Sequence, residues 1–158
     1  MIRKVLYTVV VLLMVGGTAG WAKPAPIRHC VIFLEPIQPG ETESKASVPV
    51  CSTGKIDSVN GKSLAASFLI ARFYDNINYV NLLIEYYGAS ACSSSISYGR
   101  ASLASNLDNK FDSGKSYSNC NNIYGYQFPN YAGTSVACDS TCNALTVPGG
   151  LSSWRVTY

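Results

Sequence analysis

Tyr74-Asp75-Asn76-Ile77-Asn78-Tyr79-Val80-Asn81 and Tyr126-Gln127-Phe128-Pro129-Asn130-Tyr131-Ala132-Gly133 are two versions of one pattern. Each runs from an aromatic residue through a turn into Asn-Tyr-x-Gly/Asn and then an apolar strand. Working outward, residues 67–74 and 81–87 read as strands flanking the first turn, and residues 123–128 and 133–138 as strands flanking the second. Weaker strands are expected at 92–98, 143–147 and 152–158, with a polar loop at 108–114. Short apolar or aromatic runs at about 8–12-residue spacing, punctuated by turn residues, predict an all-β sandwich or barrel. No segment past the N-terminus carries a sustained helical period.

The N-terminal part has a different character. Arg3 and Lys4 precede an apolar run at 5–15, and Gly20-Trp21-Ala22 places small residues where a signal peptidase reads them. Residues 1–22 are therefore expected to be an export signal with cleavage before Lys23, which makes the mature chain a secreted, extracellular protein with no membrane segment. The apolar run is short beside the ~20 residues of a spanning helix. The full chain has a net charge of +3, two positive charges of which belong to the leader. The mature chain is then near neutral and shows no basic patch, so neither nucleic acid nor an anionic membrane is an expected partner.

All six cysteines, Cys30, Cys51, Cys92, Cys120, Cys138 and Cys142, follow the leader. An even count in an exported chain predicts three disulfides; zinc is disfavoured, with no C-x-x-C pair and a single histidine, His29. Of the possible pairings, order along the chain favours Cys30–Cys51, Cys92–Cys120 and Cys138–Cys142. Residues 23–66 are rich in proline and read as an N-terminal extension. Short strands at 31–34 and 47–50 form an irregular hairpin there, clipped by Cys30 and Cys51, and Asn60-Gly61 marks a turn or linker at 57–62.

The doubled motif over residues 67–158, closed by Leu151-Ser152-Ser153-Trp154-Arg155-Val156, resembles the βγ-crystallin family. The resemblance implies two Greek-key motifs packed as a β-sandwich and related by a pseudo-twofold axis. The family's hairpin glycine is matched by Gly133; Asn81 departs from it, although asparagine tolerates left-handed backbone better than most residues. The resemblance also implies calcium. Many microbial members bind it through (Asn/Asp)-(Asn/Asp)-x-x-(Ser/Thr)-Ser, and Asp108-Asn109-Lys110-Phe111-Asp112-Ser113 nearly matches. The implied oxygen ligands are Asp108, Asn109, Asp112 and Ser113, in keeping with calcium's preference for oxygen. Pro148-Gly149-Gly150-Leu151-Ser152-Ser153 lacks the leading acidic or amide side chains, so at most one weak site is expected.

Catalytic material is sparse. His29 sits in the proline-rich segment, the thiols are expected to be oxidised, and Glu41 and Glu43 lie in a predicted loop. No phosphate-cradling glycine loop is present. The expectation is a non-catalytic protein that acts by binding. Tyr86, Tyr87, Tyr98 and Tyr124 are expected among exposed tyrosines that would serve a binding surface, because tyrosine is large, rigid and amphipathic. The resemblance implies proteinase inhibition or antimicrobial action on an extracellular protein such as a protease. A lectin-like or cell-wall module binding glycans is the second expectation, and a small hydrolase the third.

Overall fold

A computed structural model describes residues 28–158; the expected export signal at 1–22 and its expected cleavage point lie outside the described residues. The strands are β1 (His29–Leu34), β2 (Val50–Ser52), β3 (Ser58–Val59), β4 (Lys62–Ser63), β5 (Phe68–Asn76), β6 (Val80–Gly88), β7 (Tyr98–Arg100), β8 (Ser113–Ser116), β9 (Asn122–Phe128), β10 (Ala132–Asp139), β11 (Thr141–Cys142) and β12 (Ser153–Thr157). Short 3-10 turns at Leu64–Ala66 and Ile77–Tyr79 complete the elements. The fold is almost all β and sandwich-like, as the turn-punctuated strands predict.

One sheet has the order β11-β8-β5-β6-β1-β2 and the second β10-β9-β12-β7. The first repeat supplies β5, β6 and β8 to the larger sheet but sends β7 to the smaller one, beside β12. The second repeat does the reverse: β9, β10 and β12 stay together and β11 crosses to pair with β8. The N-terminal hairpin belongs to the larger sheet as well. β1 runs parallel to β6 from Cys30↔Ile84 to Leu34↔Gly88.

Between the sheets lies an aromatic core. Phe73 stacks on Phe111 with centroids 4.4 Å apart, and Trp154 packs against Phe73 at 5.0 Å and Tyr86 at 4.6 Å. Ile70, Ile84, Ile123, Leu151 and Val156 fill the space around them, all fully buried. A smaller apolar cluster of Val31, Phe33, Val59 and Leu64 lies under the β3–β4 hairpin. The turn of that hairpin is Asn60-Gly61, both with positive φ (49° and 76°), the backbone a two-residue I′ hairpin turn requires.

Four strand expectations need correction, the first being that the second strand of the N-terminal hairpin is Val50–Ser52 rather than 47–50. Residues 113–116 form β8 rather than part of a polar loop, although the strand carries only Ser, Gly, Lys and Ser. Its serines are buried because their hydroxyls have backbone partners, Ser116 bonding the Cys120 carbonyl. Residues 143–147 form no strand. Leu145 and Val147 are instead loop residues plugged into the core. At 92–97 a tight turn bridged by Ser93 and Ile96 replaces the expected strand.

The disulfides are Cys30–Cys51, Cys92–Cys120 and Cys138–Cys142, the pairing that chain order favours, and no described cysteine is free. Three bridges fit an oxidising environment. Among the described residues no helix is long and apolar enough to cross a membrane.

Candidate functional site

The two aromatic hairpins are wired alike. Tyr74 meets Tyr79 edge-on at 5.8 Å, and Tyr126 meets Tyr131 edge-on at 5.4 Å. In the first hairpin the Ser113 hydroxyl accepts the Tyr79 N–H (3.0 Å) and donates to the Asn76 carbonyl (2.6 Å). In the second, Ser153 accepts from Tyr131 (3.1 Å) and donates to the Phe128 carbonyl (2.7 Å). Backbone signs agree as well: Asn78, Tyr79 and Asn81 have φ of 58°, 64° and 58°, and Asn130, Tyr131 and Gly133 have 58°, 59° and 81°. Asn81 thus takes the left-handed conformation that glycine takes in the other copy.

This wiring bears on the expected calcium ligands. Ser113 is fully buried and its hydroxyl is committed to the hairpin, so it is not a free ligand. The other three sit on the turn leading into β8. Asp112 and Asn109 have exposed side chains, and one carboxylate oxygen of Asp108 is buried without a hydrogen-bond partner. Asn109 is held by its N–H to the Leu151 carbonyl and lies against Gly150. Asp108, Asn109 and Asp112 are thus neighbours along one turn, with the orphaned Asp108 oxygen buried and the other two side chains facing solvent.

Two of the four expected surface tyrosines are core residues. Tyr86 and Tyr98 are buried, Tyr86 against Trp154 and Tyr98 with its hydroxyl donating to the Ser90 carbonyl (2.7 Å). Burial pushes the Tyr86 hydroxyl pKa far up. Their strands put them on the inner face, and a lone polar tip satisfied internally looks the same in sequence as an exposed one. Tyr87 and Tyr124 are half-buried, on opposite sheets. Sequence reading missed the residues around Tyr87. Arg72 on β5 holds Glu85 on β6 through Nε and Nη2, both 2.7 Å from one carboxylate oxygen. Tyr117 lies under the Arg72 guanidinium (5.4 Å), Lys115 lies over the Tyr79 ring (4.0 Å), and Tyr74 stands nearby. Burial raises the hydroxyl pKa of Tyr74 and Tyr87. The signal available beforehand was the alternation of Arg72 and Tyr74 along β5.

The segment between β1 and β2 forms an exposed loop held on every side. Its tip is a turn in which Glu41 N–H bonds the Gln38 carbonyl (3.0 Å), with Pro39 and Gly40 (φ 86°) at the centre. Pro then a positive-φ Gly is the type II pattern. Glu35 bonds Lys45 across the base, Ile37 bonds Ser97, and Ser44 bonds Gly99. Glu43 accepts the Ala101 N–H (3.0 Å), Arg100 donates to the Ser44 carbonyl (2.8 Å), and the Tyr131 hydroxyl donates to the Thr42 carbonyl (2.8 Å). Beneath the loop is a groove of about 270 Å³ floored by Ile32, Ile84, Tyr86 and Leu107.

His29 lies 4.0 Å from Glu85, whose carboxylate already serves Arg72. Among the described residues no serine hydroxyl or thiol bonds His29. Comparison with family models, with curated proteins and with solved structures finds no match.

Proposed function

We propose that the chain is an exported binding domain of βγ-crystallin type that acts as a proteinase inhibitor, presenting its β1–β2 loop to the protease cleft. The observation that carries this reading is the loop itself: an exposed turn at 38–42 whose flanks are pinned by backbone and side-chain bonds to the β7 edge and to Tyr131, and which is closed by Cys30–Cys51. A loop ordered in advance loses little entropy on binding. Anchors on both sides of the tip would also hold the two ends of a cut peptide bond together, which favours resealing over release. The repeated Tyr–Tyr–Ser hairpins and the exchanged β7 and β11 support the Greek-key, βγ-crystallin part of the proposal. The test is inhibition of a panel of secreted metallo-, serine and cysteine proteases by the mature protein. A double substitution, Glu41→Ala with Thr42→Ala, should weaken any inhibition at least tenfold while the thermal midpoint stays put. Failure to inhibit any class, or inhibition unaffected by the double substitution, rejects the loop.

One observation favours a glycan-binding reading as second choice. Tyr74, Tyr87 and Tyr117 surround the Arg72–Glu85 pair on the outer face of the larger sheet, joining flat rings to directional polar groups. Binding to a glycan array, lost in Tyr117→Ala, would move the function there.

Calcium remains part of the proposal at Asp108, Asn109 and Asp112, where it would tie the turn before β8 to the hairpins. Thermal unfolding with millimolar calcium and with chelator tests it. A shift in wild type that vanishes in Asp112→Ala supports the site, and an equal shift in both moves the ion elsewhere.

A further inference from the structure

The four outer edges of the two sheets are not alike. β2 is three residues long and β11 two. β7 is covered: Ser44 N–H bonds the Gly99 carbonyl (2.9 Å), and the Gly99 N–H bonds the Ser44 hydroxyl (3.3 Å). β10 is different. It has eight residues, pairs only with β9, and is mostly exposed. What guards it lies at its ends, a bulge near the start and Asp139 at the finish; between them Ser135-Val136-Ala137-Cys138 carries no charge and no proline, an edge of the kind natural sheets ordinarily protect. Near its start the Gln127 side chain accepts the Thr134 N–H (3.3 Å), and a bulge separates Ala132 from Ser135. The regular ladder runs from Ser135↔Tyr126 to Asp139↔Asn122. Along it, alternate N–H and C=O groups point away from β9.

Beside this edge is a shallow hollow of about 270 Å³ lined by Asn122, Tyr124, Ala137, Cys138 and Asp139. It exists because Ala137 is small where it faces Tyr124 across the ladder. Asp139 is exposed and forms no ion pair among the described residues.

We propose that β10 accepts an extended peptide segment of a partner protein as an added strand, with a lysine or arginine of that segment seated in the hollow against Tyr124 and Asp139. Main-chain bonds to 135–139 would supply the attachment, and the hollow would select one side chain. The aliphatic stem of the basic residue would lie on the Tyr124 ring and its charge would meet the Asp139 carboxylate. A second copy of this chain is a poorer occupant. Its own β10 would present Gly133, Ser135 and Ala137, all too small to fill the hollow, and it has no basic residue for Asp139. The inference stands apart from the β1–β2 loop, which lies at the covered edge of the same sheet.

The experiment uses the mature chain, labelled for amide NMR, and twenty acetylated, amidated peptides Ser-Val-Ser-X-Ser-Val-Ser in which X is each amino acid in turn. Peptides with X as Lys or Arg should shift and slow the exchange of amides within 135–139. They should bind about fivefold tighter than those with Ala or Glu, the upper range of one solvated ion pair. Asp139→Asn should remove that preference and leave the Ala peptide unchanged. Backbone N-methylation of the Lys peptide should abolish binding. The proposal is overturned if no peptide perturbs β10 at millimolar concentration, if Glu is preferred, or if sedimentation shows a β10-paired dimer that the peptides do not dissociate.

Discussion

Replacing Ser113 or Ser153 with alanine removes one oxygen and strands two backbone groups. Ser113 serves the Tyr79 N–H and the Asn76 carbonyl, and Ser153 serves the Tyr131 N–H and the Phe128 carbonyl. Both serines are fully buried, so water does not replace the hydroxyl on the strand side. An unsatisfied buried group costs about 1–3 kcal/mol. The turns themselves reach solvent, Asn78 and Asn130 being exposed, so part of each loss is recovered there. We expect about 2–3 kcal/mol for each substitution, which corresponds to roughly 6–12 °C in the thermal midpoint of a domain this size. The two sites share no partner, and their effects should add within about 0.5 kcal/mol. Guanidinium unfolding of both single variants and the double variant measures all three quantities. A loss below about 0.5 kcal/mol at either serine, or strongly unequal losses, would refute the claim that the hairpins are equivalent structures held by equivalent bonds.

Other outcomes follow from the same structure. Gly133→Ala should destabilise by more than about 2 kcal/mol, because φ is 81° and an added Cβ would lie 2.6 Å from the Phe128 ring; Asn81→Gly, at the matching position, should be neutral or stabilising in chemical denaturation. Burial lifts the Tyr131 hydroxyl pKa to about 12, a shift that Glu43 adds to and Arg155 opposes. The folded state thus favours the neutral phenol, and that contribution is complete below pH ~10 and disappears between pH ~10 and ~12. Stability should fall through that window, and Tyr131→Phe should flatten the fall in a pH series of urea melts. Removing Cys30–Cys51 by paired alanine substitution releases a 21-residue closure and should cost about 3 kcal/mol. Limited proteolysis should then cut first at 38–42, whereas the intact protein resists.

Much of the strand pattern was legible because side chains announced it. The aromatic runs around Tyr74 and Tyr126 alternate clearly, and β5, β6, β9 and β10 lie within a residue or two of expectation. β8 was not legible: its buried positions are Ser and Gly, and the burial of Ser113 depends on hydroxyl partners 34 and 37 residues away in the chain rather than on apolar character. Leu145 and Val147 misled for the opposite reason, since apolar residues anchored in a loop resemble a strand by composition alone. Site residues fared worse. Whether Tyr86 faces in or out depends on strand register, and the irregularities of the β5–β6 pair, one extra residue in β5 at Leu69/Ala71 and one in β6 opposite Phe73/Tyr74, shift that register without a turn residue to mark them. The cluster of Arg72, Glu85 and Tyr117 draws on three separate stretches of chain, which only the sheet brings together.

The exchange of β7 and β11 between the sheets has a consequence for how the molecule comes apart. Each repeat lends the other a border strand, so neither can open while its neighbour stays intact. Loosening the second repeat would uncover the outer side of β8; loosening the first would uncover that of β12. The two repeats are thereby locked into one cooperative unit, and their most protected amides should exchange with a single common free energy rather than as two separate foldons.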